Sequence, residues 1–326
     1  NQNTIVDTDG TRVVLAIDNR ILIYVDNGIT FDFEQELSFS DDGPFGSIAH
    51  VSISGDRLIA NAHWGDYVHE YRLNGKGWQY NAAIGPQPHP IIKAVIDGDS
   101  MAVQMFYLSL IFDYEGSSWV QKLSHDSATP DYNDVDISGN YVILGETTDY
   151  YPGSPSVAQV RLFKRAGTTW VADVNLITPE SSPDDDFGYK VSIDGDVACI
   201  SAIRSDTSLV DGGVVSCFKK IGTNWQHVNR IMPFNPQPAM NFGMNLANDG
   251  KSIVVGYKRQ PGIFEVLSRG TQLTQLPDYE WVEPEGGDIN APVNWIPDAP
   301  SIGDHVSIAI PAKFELDVSS DLPFSH

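Results

Sequence analysis

Positive charge is what this sequence lacks most. Twenty Lys and Arg stand against 43 Asp and Glu in 326 residues, a formal net charge of −23. No basic cluster exists to release counterions from a phosphate backbone, so nucleic acid is excluded as a partner. Long apolar runs are missing too. None approaches the ~18 residues that span a bilayer, and the longest are strand-sized, so no membrane insertion is expected. An Asn-x-Ser/Thr sequon is absent. Also absent are a Gly-x-Ser-x-Gly elbow, a His-Glu-x-x-His helix and a Gly-x-x-x-x-Gly-Lys loop, so the common hydrolase and nucleotide routes lose support. The start at Asn1-Gln2-Asn3, without Met or a signal pattern, suits a processed secreted chain or a trimmed one.

What is present is a repeat. "SGDRLIANA" (Ser54 to Ala62), "DGDSMAVQM" (Asp97 to Met105), "SGNYVILGE" (Ser138 to Glu146) and "DGDVACISA" (Asp194 to Ala202) are copies of one turn followed by one apolar strand. Weaker copies place the turn glycine at Gly10, Gly250 and Gly303. The seven glycines recur every 41 to 56 residues, a spacing in the range of propeller blades. Each unit supports four short strands, the last opening at an aromatic position held by Trp78, Trp119, Trp170 and Trp225, with Phe31 and Leu273 as substitutes.

Phe45-Gly46, Phe187-Gly188 and Phe242-Gly243, each ahead of a strand, a Gly-Asp or Asp-Gly turn and a second strand, resemble the FG-GAP repeats of integrin α-chain propellers and bacterial surface proteins. Units three and four carry Pro90-Ile91 and Asp131-Tyr132 at that place. The resemblance implies an all-β protein, a seven-bladed β-propeller of four-stranded antiparallel blades, extracellular or at the cell surface and engaged in adhesion or recognition. The expected blades of this single domain are 1–42, 43–86, 87–125, 126–179, 180–233, 234–284 and 285–326. The last is degenerate, and N-terminal residues are expected to supply its missing strand and so avoid a free edge.

Calcium-binding members of the family carry an Asp-x-Asp-x-Asp-Gly type loop, because calcium needs six to eight oxygens. Here the connection is a two-residue hairpin, where Asp-Gly supplies positive φ, and turn chemistry is the reading preferred over metal. "DTDG" at Asp7 to Gly10 comes nearest and lacks the third carboxylate. No cofactor is expected; calcium stays open without the full motif.

Length and variety fall on the loops at one end of the strands, and function favours loops held on a rigid scaffold. The ligand-binding candidates there are Trp64, Tyr67, Phe106, Tyr107, Asp149, Tyr150 and Tyr151, with Asp184, Asp185 and Asp186 from "SPDDD". Aromatics beside Asp and Asn suit sugar stacking or a protein hot spot. Their bland reading is as lids that seal a neighbouring sheet. His50, His63, His69 and His89 form a second candidate group, for a metal or for the base of a polysaccharide lyase.

Cys199 and Cys217 lie equally far from Ser208, opposite each other in a symmetric hairpin. A disulfide is geometrically possible. Both fall on core positions, matching Ile59, Ile143 and Leu162, and free thiols acting as small hydrophobes are the preferred reading. The expected function is recognition of a protein or carbohydrate ligand through the loop-rich face, with no catalytic residues. The alternatives are a lectin and a carbohydrate-active enzyme, a lyase or glycosidase, sited at the central depression. Because the quoted loops do not repeat well, a lectin with several equivalent sites is disfavoured. A cationic or calcium-bridged contact weakened by salt is expected.

Overall fold

The computed structural model describes residues 4–40, 47–126, 134–147, 158–178, 183–233, 236–257 and three later strands. Five four-stranded antiparallel sheets follow one another along the chain. The first is β1 (Thr4–Thr8), β2 (Arg12–Ile17), β3 (Arg20–Asp26) and β4 (Phe31–Ser38); the second is β5 (Ile48–Ser54), β6 (Arg57–Ala62), β7 (Val68–Asn74) and β8 (Gly77–Ile84). The third is β9 (Ile91–Asp97), β10 (Ser100–Met105), β11 (Leu108–Glu115) and β12 (Ser118–Asp126). The fourth is β13 (Asp134–Ser138), β14 (Tyr141–Thr147), β15 (Ala158–Ala166) and β16 (Thr169–Leu176), and the fifth is β17 (Phe187–Asp194), β18 (Val197–Ala202), β19 (Val214–Ile221) and β20 (Asn224–Ile231).

The sixth sheet holds β21 (Asn245–Asn248), β22 (Ser252–Gly256), β23 (Phe264–Ser268), β24 (Asp278–Trp281) and a fifth strand, β25 (Trp295–Ile296). So the one described segment of the expected seventh unit extends the sixth sheet, and the rest of 285–326 lies outside the described residues. The N-terminal strand, expected to complete that unit, is instead the first strand of the first sheet, paired from Thr4↔Ile17 to Thr8↔Val13. Among the described residues the only helical element is a 3-10 turn at Pro183–Asp185.

Residue contacts divide the chain into two compact units, 1–142 with 163–173, and 143–162 with 174–326. Four of the second strands, β6, β10, β18 and β22, are buried along their whole length, and β14 is buried after its first residue, whereas β2 of the first sheet is buried only at Val14 and Ala16. The fourth strand is mostly exposed or half-buried, with one buried residue each in β8 and β20. Apolar on both faces inside and amphipathic outside is the pattern of sheets stacked face to face. A register shift recurs between third and fourth strands, at Ile23/Tyr24, Glu70/Tyr71, Ile111/Phe112 and Cys217/Phe218. One extra residue there raises the twist of the outer strand.

The Gly-Asp turns carry a second function in the first unit. Asp9 accepts the amide hydrogen of Gly55 at 3.0 Å, Ser54 that of Gly98 at 2.9 Å, and Asp97 that of Gly139 at 2.6 Å. Two residues deeper, Asp7 accepts from Ile53 N–H and Ser52 from Ile96 N–H. The residue just before each turn glycine thus binds the glycine of the next sheet, and its neighbour two residues back binds one rung lower. Val95 has no acceptor to offer the next rung, and Ile137 N–H is bonded instead by Asp136 at 2.9 Å. Burial pushes the Asp7 carboxyl above its usual range, against the pull of Ile53 and Ser52. In the second unit Ser192 accepts from Asn248 N–H at 3.0 Å in the same manner.

The Phe-Gly pairs explain themselves in the second unit. Phe187 and Phe242 are fully buried plugs. The glycines after them sit at φ 102 and 101. A Cβ on Gly188 would lie 3.1 Å from Val160, and one on Gly243 would lie 2.5 Å from Ser201 Cβ, so each pair presses backbone onto the preceding sheet. Gly145 answers from the other side, where a Cβ would stand 2.0 Å from the carbonyl oxygen of Gly188. The third pair, Phe45-Gly46, lies outside the described residues.

Cys199 and Cys217 form a disulfide, against the preference for free thiols. They face each other directly in the β18–β19 register, with Cα atoms 4.2 Å apart. That is the close kind of cross-strand pair, about 4.5 Å in antiparallel sheets, which brings two sulfur atoms together. Core position and disulfide proved compatible, since both residues are buried.

Candidate functional site

The first unit gathers three loops at one end of its sheets: 63–67 after β6, 85–90 after β8, and 106–107 after β10. Backbone hydrogen bonds lock the first two together. Gln87 N–H donates to Asp66 O at 2.7 Å and Ile91 N–H to Gly65 O at 2.8 Å. Gly85, at φ 151, is needed because a Cβ would meet Asp66 O at 2.6 Å and the Tyr67 ring at 2.9 Å.

On this base stands an aromatic group. The Trp64 indole stacks on the Phe106 ring at 5.2 Å, with 15° between planes. Tyr107 meets His89 edge-on at 6.5 Å. Trp64 is 51% exposed and Tyr107 50%, while Phe106 is half-buried beneath. Both exposed rings spring from left-handed backbone, at φ 62 in each case. That conformation costs an L-residue roughly 1–2 kcal/mol and is usually left to glycine or asparagine.

The two positions are equivalent. β6 ends at Ala62 and β10 at Met105, so Trp64 and Tyr107 each stand second after their strand. Sequence comparison missed this, because the flanking pairs His63-Trp64 and Phe106-Tyr107 share no residue; the shared backbone angle reveals it.

The other candidates part company. Tyr67 is half-buried, turned toward Gly85 and, at 6.4 Å, His69, so it packs the loop. His69 is buried against Phe39 at 5.0 Å and Tyr80 at 6.1 Å. His63 and His89 are exposed. Among the described residues no three His, Cys, Asp or Glu side chains are arranged to hold a metal. Asp149, Tyr150 and Tyr151 lie outside the described residues.

Asp184, Asp185 and Asp186 belong to the second unit. Asp186 is buried at φ 54, with Arg204 Nε 3.1 Å from its carboxylate. Burial, then the charges of Asp185, Asp211 and Asp184, push its pKa up to about 6 in spite of that guanidinium. Arg204 N–H also donates to Asp185 O at 3.2 Å, which ties the acidic turn to the 203–213 loop.

Sequence reading also missed a set of clamps at the outer strands of the first unit. Trp78 Nε1 donates to Glu34 at 3.2 Å, and Glu34 is held by Arg12 at 2.7 Å. Arg57 lies 3.9 Å over the Tyr114 ring and 5.2 Å from that of Trp119, paired with buried Glu70. At the third place Ser100 replaces the arginine, and Arg165 reaches in from the next sheet to Asp113, at 2.7 Å, beside Trp170. Burial raises the Asp113 carboxyl, but Arg165, Trp170 and Ser100 outweigh it and hold the group below its ordinary value. In the first unit the fourth-strand tryptophans Trp78, Trp119 and Trp170 are therefore sheet-to-sheet fasteners.

Repeated four-stranded antiparallel sheets along a chain whose described residues are almost helix-free define an all-β protein of the β-propeller class. Residues 170–218 match the FG-GAP repeat family, so the chain carries at least one such repeat. The solved structures agree on the fold. Hsv2 of Kluyveromyces marxianus overlays with a TM-score of 0.58 at 11% identity, over 83% of this chain and 74% of that one. Hsv2p of Kluyveromyces lactis gives 0.53 at 11%, over 80% and 71%. A chain of the mitotic checkpoint complex gives 0.53 at 11%, over 77% and 72%. No curated protein matches the sequence. No helix among the described residues is long and apolar enough to cross a membrane.

Proposed function

We propose that the protein is an extracellular or cell-surface recognition module that holds a protein or glycan partner against the loops 63–67, 85–90 and 106–107, without catalysis. One observation carries this reading: Trp64 and Tyr107 are held out into solvent by strained backbone on a base of hydrogen-bonded loops. The tight turns 62–65 and 105–108 call for left-handed backbone at these positions. Glycine or asparagine usually fills it, so a large, half-exposed ring there is a costly choice that fits a contact role. The FG-GAP match and the Cys199–Cys217 disulfide support an oxidising location.

A blocking experiment tests the face. With Cys199 and Cys217 bonded to each other, a single introduced cysteine takes a bulky polyethylene glycol maleimide at Asp66→Cys, beside Trp64, or at Asp56→Cys, on the turn at the other end of the same strand. Binding of the fluorescent protein to intact cells and to isolated extracellular matrix is then measured. Blocking at position 66 is expected to remove binding and blocking at 56 to spare it. Loss only at 56, or no effect of either label, overturns the assignment of the face.

A further inference from the structure

We infer that Trp64 and Tyr107 form an aromatic rail for a neutral, β-linked glycan chain, one ring contributed by each of two successive sheets. This inference rests on the proposed recognition face and names its ligand class.

Repetition is the first argument. The same position in two consecutive units carries a large aromatic ring, at the same φ of 62 and the same half exposure. A protein that repeats its contact from one structural unit to the next matches a ligand that is itself a repeat, and a glycan chain is such a polymer. A globular partner without internal repeats presents no such period, and hot spots for one cluster in a single desolvated centre.

Chemistry is the second argument. The Trp64 indole rests with one side on Phe106, and half of its surface remains open. An open aromatic face with a fixed plane suits the C–H face of a pyranose, whose hydrogens carry partial positive charge against the negative face of the ring. The exposed His63, Asp66 and His89 surround the rings with donors and acceptors for hydroxyl groups. Packing and hydrogen bonds hold the rings before any ligand arrives, which lowers the ordering cost of a weak contact.

Charge is the third argument. A net charge of −23 repels sulfated and uronic-acid chains, which leaves neutral and N-acetylated polymers. β-1,4-linked glucose and N-acetylglucosamine suit the rail, because their equatorial substituents leave flat apolar faces along the chain.

The probes are cellohexaose and chitohexaose, titrated into the whole protein and followed by isothermal calorimetry and by indole fluorescence. Binding of at least one probe is expected, with a fluorescence change that disappears in Trp64→Phe while affinity falls modestly. Trp64→Gly and Tyr107→Gly are each expected to weaken binding about tenfold or more, the loss that follows from ~1.4 kcal/mol of stacking. Glycine also relieves the positive-φ strain, so these variants keep a folded protein on which the absence of binding can be read. If neither hexasaccharide binds the unaltered protein, or if the glycine variants bind as it does, the glycan assignment is overturned. The blocking experiment reports on the face independently: loss of matrix binding at position 66 with no hexasaccharide binding would keep the face and assign it to a protein.

Discussion

The carboxylate of Asp97 accepts the amide hydrogen of Gly139 at 2.6 Å, 42 residues further along the chain and one sheet away. This bond, with its counterparts at Asp9 and Ser54, shows what the aspartates before the turn glycines do. They fasten each sheet to the next through a main-chain donor. Asp97→Ala is expected to cost about 1 kcal/mol in urea unfolding, with Asp97→Asn much milder because it retains an acceptor. Faster hydrogen exchange confined to Gly139 would confirm the mechanism, and unchanged exchange there would refute it.

Gly145 and Gly188 meet more closely than any side chain would allow. Gly145→Ala should destabilise the protein by about 3 kcal/mol or more, since the clash is with a carbonyl oxygen that no rotamer can move. Gly55→Ala is the control: open space surrounds that glycine, so only its positive φ is felt, and the loss should be about 1 kcal/mol. Equal losses would remove the packing argument.

Arg165→Ala leaves the Asp113 carboxylate in a largely buried site with its cation removed. A loss of about 3 kcal/mol is expected, and Asp113→Asn in the same background should recover part of it. A double-mutant cycle measures the coupling directly.

The Cys199–Cys217 disulfide closes a segment with a sequence separation of 18. Loop closure of that size is worth about 3 kcal/mol. Because both cysteines are buried, dithiothreitol is expected to reduce the bond only when the fifth sheet opens, so its rate should follow urea concentration. Rapid reduction in native buffer would contradict the burial.

Asp186 makes stability depend on pH in an unusual sense. Its folded value of about 6 lies above the unfolded one, so the folded state binds the proton more tightly. Its contribution is greatest below the ordinary carboxylate value of about 3.9 and is lost as pH rises through 6. Relative to Asp186→Asn, the unaltered protein should therefore lose melting temperature between about pH 4 and pH 7. Parallel curves for the two proteins would mean that Arg204 neutralises the shift.

Local chemistry made the strands around the turns legible. Gly195 with Asp194 and Asp196 announces a hairpin, and the apolar run from Val197 announces a buried strand. Phe187-Gly188 pointed to the FG-GAP pattern for a reason the structure makes physical, a plug and a close backbone approach. The ladder was not legible, since Asp9 and Gly55 stand 46 residues apart and either alone reads as turn chemistry. The clamps were hidden likewise: Arg165 serves a place vacated at Ser100, 65 residues earlier. Trp64 and Tyr107 were named as candidates, but their equivalence lay in a backbone angle. The loops were judged dissimilar from their residues, and two of them share a conformation.

The ladder has a polarity. In the first unit each main-chain donor of the ladder belongs to the later sheet and the side-chain oxygen that accepts from it to the earlier one. A chain leaving the ribosome therefore builds the template first and the strand that reads it afterwards, so each new sheet finds its register already written on its predecessor. Assembly from the N-terminus is the direction in which no main-chain donor of the ladder has to wait for its acceptor.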